Sequence, residues 1–135
     1  MDDDTKKLIE KMDLFPPTTK ENLKDVEGNL NYILPEQYKM FMLISNGAEG
    51  IIGKHSYLVI WPIDQITELN KEYAVNEFTP GLMYFGSDGG GMAYAFDNRM
   101  KETPIVEFPF ESVNIQDAKL CGNTFNEFLR NLYDR

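Results

Sequence analysis

The chain has 135 residues, 42% of them hydrophobic and 26% charged, and its 13 Lys and Arg stand against 22 Asp and Glu for a net charge of −9. A chain of this length can bury about two-thirds of its unfolded surface in a single domain, and this much apolar material excludes wholesale disorder. The acid excess argues against nucleic acid or anionic lipid as a partner, since both would repel it and neither would gain by releasing counterions; the natural complement is a basic molecule.

From the N-terminus, Leu8, Ile9, Met12 and Phe15 form an apolar stripe after Asp4, a candidate cap, and predict a helix that Pro16-Pro17 stops. Thr18 with Glu21 matches a capping box for a second helix carrying Leu23, Val26 and Leu30, which Gly28 weakens. Leu34-Pro35 opens a third, with Glu36 at its positive end, Tyr38, Phe41, Met42 and Ser45 on one face, and Asn46-Gly47 to close it. Tyr57 to Trp61 is short and rich in β-formers, so it reads as a strand. Asp64 is then expected to cap a helix with Ile63, Ile66, Leu69 and Tyr73 inward and Asp64, Glu68 and Glu72 outward at intervals of four.

Beyond the turn Thr79-Pro80-Gly81, Leu82 to Gly86 and Met92 to Phe96 predict an antiparallel hairpin joined by a glycine-rich loop. Ile105 to Phe108 is a further strand, introduced by Thr103-Pro104 and ended by Pro109. Thr124 with Glu127 caps the last helix, where Phe125, Phe128, Leu129, Leu132 and Tyr133 recur at helical spacing. Helices, then strands, then a helix give an α+β class: a central, mainly antiparallel sheet flanked by N-terminal helices and a C-terminal helix, in one domain spanning 1–135.

Residues suited to catalysis are scarce. His55 and Cys121 are the only histidine and cysteine, in unrelated contexts, and no G-x-S-x-G elbow is present. One cysteine rules out an intramolecular disulfide or a multi-thiolate zinc site and fits a reducing cytosol; the acidic start of the chain is the reverse of a basic signal peptide. No apolar run is long enough to cross a bilayer. Gly86-Ser87-Asp88-Gly89-Gly90-Gly91 leads into a strand and lacks a following Lys-Ser or Lys-Thr, so it reads as a hairpin turn and not a phosphate cradle. Asp88 and Asp97 lack the alternation of a calcium loop, and no metal or cofactor is expected. Between His55 and Ala118, ten acids against three bases hold −7 of the net charge.

The order Leu34-Pro35-x-x-Tyr38-x-x-Phe41, Asn46-Gly47, Gly81-Leu82, Phe85 to Gly91 and Tyr94-x-Phe96-Asp97 resembles the SUKH superfamily, which includes bacterial immunity proteins and relatives of a fungal cell-wall assembly regulator. That resemblance implies an α+β fold, no enzymatic activity, and a protein that binds and neutralises a toxin, many of which are nucleases. Leu34, Pro35, Tyr38, Phe41, Asn46 and Gly47 would be architectural, and Gly86, Asp88, Gly91 and Asp97 would form the hairpin signature; Met92 stands where many relatives have a polar residue. The expected protein partner is a basic toxin domain, met by a face containing Asp64, Glu68, Glu72, Asp88 and Asp97, with Trp61 as an aromatic anchor beside Tyr57 and Tyr84. Core packing is the competing reading for those three rings, Asp97-Asn98 is also a good turn pair, and a regulatory module without a toxin partner is the alternative function.

Overall fold

A computed structural model describes residues 1–135. It contains helices α1 (Asp3–Leu8), α2 (Lys20–Leu30), α3 (Glu36–Met42), α4 (Ile63–Glu72), α5 (Val75–Phe78) and α6 (Phe125–Asp134). Strands β1 (Met12–Leu14), β2 (Ala48–Ile52), β3 (Ser56–Ile60), β4 (Leu82–Ser87), β5 (Met92–Asp97), β6 (Ile105–Pro109) and β7 (Lys119–Gly122) form one seven-stranded sheet in chain order. Every neighbouring pair is antiparallel, so the sheet is a continuous meander. The α+β class and the helices flanking the sheet are as the sequence predicts.

Several local expectations are corrected. The first helix ends at Leu8 under an Asp2 cap, and Met12 is already in the edge strand β1, opposite Gly50. An apolar residue every third or fourth position fits a helix, but cross-strand pairing with β2 takes Met12–Leu14 instead. Thr19, not Thr18, caps α2 by accepting from the Asn22 amide, and the helix runs through Gly28 to close on Asn31 at φ 50°. Asn46 does not close α3, which stops at Met42; its side chain reaches across to α4 and accepts from the Ile63 amide at 2.8 Å. Asp64 is therefore not the cap of α4, which starts from Pro62 with that amide served by Asn46.

The two faces of the sheet carry separate aromatic clusters. On one, Phe85 and Phe96 stack at 4.3 Å, and Tyr38 of α3 and Phe128 of α6 pack edge-on against Phe85. On the other, Tyr84 lies opposite Ala95 and beside Phe108, which faces Ala93. All six residues of β4 are buried because both of its faces are covered, which is why its sequence does not alternate apolar with polar. Gly86 of β4 lies under the Val59 carbonyl of β3, where any Cβ would collide. No helix is long and apolar enough to cross a membrane.

Candidate protein-binding face

β3 pairs with β4 only through Val59 and Ile60; after the Trp61 amide donates to the Phe85 carbonyl, Pro62 turns the chain into α4. α4 then returns along the vacated edge of β4. At about 100° per residue, Ile63, Ile66 and Asn70 share the inward face, and all three are buried. Asp64, Glu68 and Glu72 follow one another along the opposite side as an exposed stripe. None of the three belongs to an ion pair: the bridges of the molecule are Lys39 with Glu27 and Glu36, Arg99 with Asp97, Arg130 with Asp4, and Arg135 with Glu107. Lys71 is the only base on α4, so the stripe keeps a net negative charge.

The other two acids of the expected face are placed differently. Asp88 sits in the β4–β5 loop, half-buried, where its Oδ1 accepts from the Gly90 amide at 2.8 Å and the Met92 amide at 3.1 Å. That loop turns at Gly89, φ 79°, which lies flat on the Tyr57 ring of β3: an added Cβ would stand 2.9 Å from its Cδ1. Asp88 thus serves the hairpin, apart from the α4 stripe.

Asp97 is 4% exposed and bonded to Arg99 three times, from the backbone amide at 3.1 Å, Nε at 2.9 Å and Nη2 at 2.8 Å. Burial opposes its charged form, but those donors and the guanidinium charge outweigh it and hold the carboxyl below the usual aspartate range. It gives the surface no free negative charge and leaves the face. Glu107 is also paired, by one contact with Arg135 Nη1 at 3.0 Å.

Trp61 is 8% exposed and so is not a free anchor. Its ring belongs to a cluster the sequence did not reveal. Tyr73, at the end of α4, stacks on Phe110 at 4.6 Å and runs parallel to Trp61 at 6.4 Å; Trp61 and Phe110 lie 6.5 Å apart, and Tyr84 closes the group from below at 5.9 Å from Phe110. Periodicity predicts that Tyr73 points inward. It does touch the core rings, but as the residue that caps the C-terminus of α4 it sits at their rim and is 41% exposed. The available signal was an aromatic in the final turn of a helix whose outward side is acidic, and Pro109-Phe110 at the end of a buried strand.

On the other flank of the stripe, Thr67 and Lys71 border a groove of about 520 Å³ between α2, α4 and β4, lined also by Asn29, Asn31, Tyr32 and Asn98. The single histidine and the single cysteine lie in different surroundings. His55 is exposed in the β2–β3 turn, whereas Cys121 of β7 is buried and its thiol is pushed up to about 11, chiefly by burial. No three His, Cys, Asp or Glu side chains are grouped to hold a metal ion.

Comparison with protein families matches residues 17–131 to the SMI1 / KNR4 family (SUKH-1). No curated protein matches the chain. The matched span runs from Pro17 to Asn131, taking in α2 to α6 and β2 to β7, and leaves outside it only α1, β1 and the last residues of α6.

Proposed function

The chain belongs to the SMI1/KNR4 family (SUKH-1), and from that premise we propose that it is a non-catalytic immunity protein, binding and neutralising a basic toxin domain through the outer side of α4. The family is consistent with immunity or regulatory roles, and it implies protein–protein interaction in general. The toxin is the specific step added here. The observation that carries it is the unpaired stripe of Asp64, Glu68 and Glu72, exposed on a helix whose inner side is locked into the core.

A protein that grips a polyanion must present a basic surface, and an acidic helix can occupy or adjoin that surface. Opposite charge speeds encounter and disfavours wrong partners, while apolar and aromatic anchors set the lifetime of the complex. The stripe ends at Glu72, and the next residue is Tyr73, the exposed ring of the aromatic cluster, so acid and aromatic surface follow directly on one another. A buried thiol raised to about 11 is protonated at neutral pH and a poor nucleophile, in keeping with a role that makes and breaks no bond.

The test is capture of the partner from native lysate on the immobilised chain, followed by expression of the captured protein in cells with and without this chain. Growth arrest relieved by co-expression supports neutralisation. Stable capture of a harmless protein would replace it with the regulatory module.

A further inference from the structure

The aromatic cluster beside α4 has a chemistry of its own. Trp61, Tyr84 and Phe110 are buried or half-buried, and Tyr73 alone carries the stack out to solvent. A ring stacked on other rings keeps the electron-rich character of its remaining face, and a cation placed on that face is attracted by the ring quadrupole. The residues beside the two outermost rings are acidic and exposed: Glu72 precedes Tyr73, and Glu111 follows Phe110. Neither takes part in an ion pair. Lys71 lies about 160° round the helix from Tyr73, on the side of the groove, so no base of α4 crowds the ledge.

We propose that Tyr73, stacked on Phe110 and flanked by Glu72 and Glu111, is a ledge for an arginine side chain of the basic protein partner. The proposal rests on the acidic-face reading above and sharpens it from charge to residue type. A guanidinium is planar and weakly hydrated, so it can lie on the ring while its edge donates to a carboxylate; an ammonium is a compact, strongly hydrated charge that does neither as well. The ledge would give the complex a partly desolvated anchor, which the exposed carboxylates alone do not supply.

The experiment titrates the full chain with acetyl-Gly-Arg-Gly-amide and, separately, with the citrulline and lysine analogues, following aromatic and backbone NMR resonances and the fluorescence of Trp61, the only tryptophan. The arginine peptide is expected to shift the Tyr73 and Phe110 ring signals saturably, the lysine peptide several-fold more weakly, and the neutral, nearly isosteric citrulline peptide not at all. Tyr73→Phe should keep the response because the ring carries it. Tyr73→Leu should weaken association about fivefold while the dispersion of the remaining core resonances shows an intact fold. Shifts confined to the backbone amides of Glu68 and Glu72 would overturn the ledge and leave the acidic face standing. Equal ring shifts with citrulline, or no response to arginine anywhere, would also overturn it. Ring shifts that survive in the Glu72→Lys/Glu111→Lys variant would overturn the pairing of ring and carboxylate that defines the ledge.

Discussion

The carboxamide of Asn70 makes to Tyr84 the two hydrogen bonds that a neighbouring strand would make: its Oδ1 accepts from the Tyr84 amide and its Nδ2 donates to the Tyr84 carbonyl, both at 2.9 Å. Nδ2 also donates to the Ile66 carbonyl of its own helix at 2.8 Å. A side-chain amide is the one group that offers a donor and an acceptor in the geometry of a peptide unit, so α4 can seal the edge of β4 where β3 has left it. The position of the acidic stripe follows from this, since Asn70 inward fixes Glu68 and Glu72 outward.

Asn70→Ala is expected to destabilise the protein by about 2–4 kcal/mol, because it strands a buried amide and a buried carbonyl. Asn70→Asp should be worse at neutral pH, where a carboxylate would face the Ile66 and Tyr84 carbonyls. Desolvation and those carbonyls would raise its pKa, so the variant's stability is greatest when it is protonated and falls as pH rises through that value. Urea unfolding at two pH values checks both expectations. Unchanged midpoints would mean that the Tyr84 groups find other partners.

Gly89→Ala forces a side chain onto the Tyr57 ring and into a backbone region it rarely adopts, and should cost about 1–2 kcal/mol. Gly91→Ala in the same loop meets nothing within 4 Å and has no such strain, so it should be near neutral. Thermal denaturation of the two variants side by side separates a packing role for Gly89 from general loop flexibility.

Asp97 in the folded protein holds its proton less tightly than the ordinary aspartate value of 3.8, despite its burial. Its contribution is therefore present above about pH 4 and lost as pH falls through the depressed value. Asp97→Asn should lower stability by about 1 kcal/mol near neutral pH, since its partner Arg99 is 44% exposed and solvent weakens the pair. The difference from wild type should shrink on acidification. A difference that stays constant from pH 7 to pH 2 would show that the carboxylate charge is not what matters.

The elements legible in the sequence were those whose own residues decide them. Thr124 caps α6 by accepting from the Glu127 amide, and Phe125, Phe128, Leu129 and Leu132 are its buried face, all as periodicity and capping chemistry predict. β4 and β5 were found by composition and by the glycine loop between them. β1, β2 and β7 were not, because Met12–Leu14, Ala48–Ile52 and Lys119–Gly122 are short, contain Asp, Glu, Lys or Gly, and are strands only through their neighbours.

The same division holds at the site. The spacing of Asp64, Glu68 and Glu72 was visible as a helix face, and that exposed stripe is where the sequence placed it. The withdrawal of Asp97 begins with the turn that Asp97-Asn98 predicts, its Oδ1 accepting from the Arg99 amide two residues on, whereas the ring stack depends on a contact between Tyr73 and Phe110, 37 positions apart in the chain. That contact does not follow from local pattern. Asn46 is the intermediate case: it reads as a helix stop, but its partner amide is at Ile63, at the start of a different helix.

The central claim is that the α4 stripe steers a basic partner, and its most direct test is the association rate constant with the captured partner, measured against ionic strength for the wild type and for Asp64→Lys/Glu68→Lys/Glu72→Lys. All three side chains are exposed and unpaired, so the variant should keep its circular dichroism spectrum and melt only a few degrees lower, the loss coming from a Lys in place of Asp64 in the first turn of α4. Its association at low salt should fall by about tenfold or more, and the dependence on salt should flatten or reverse. A variant that folds normally and associates at the wild-type rate at every salt concentration would contradict the account.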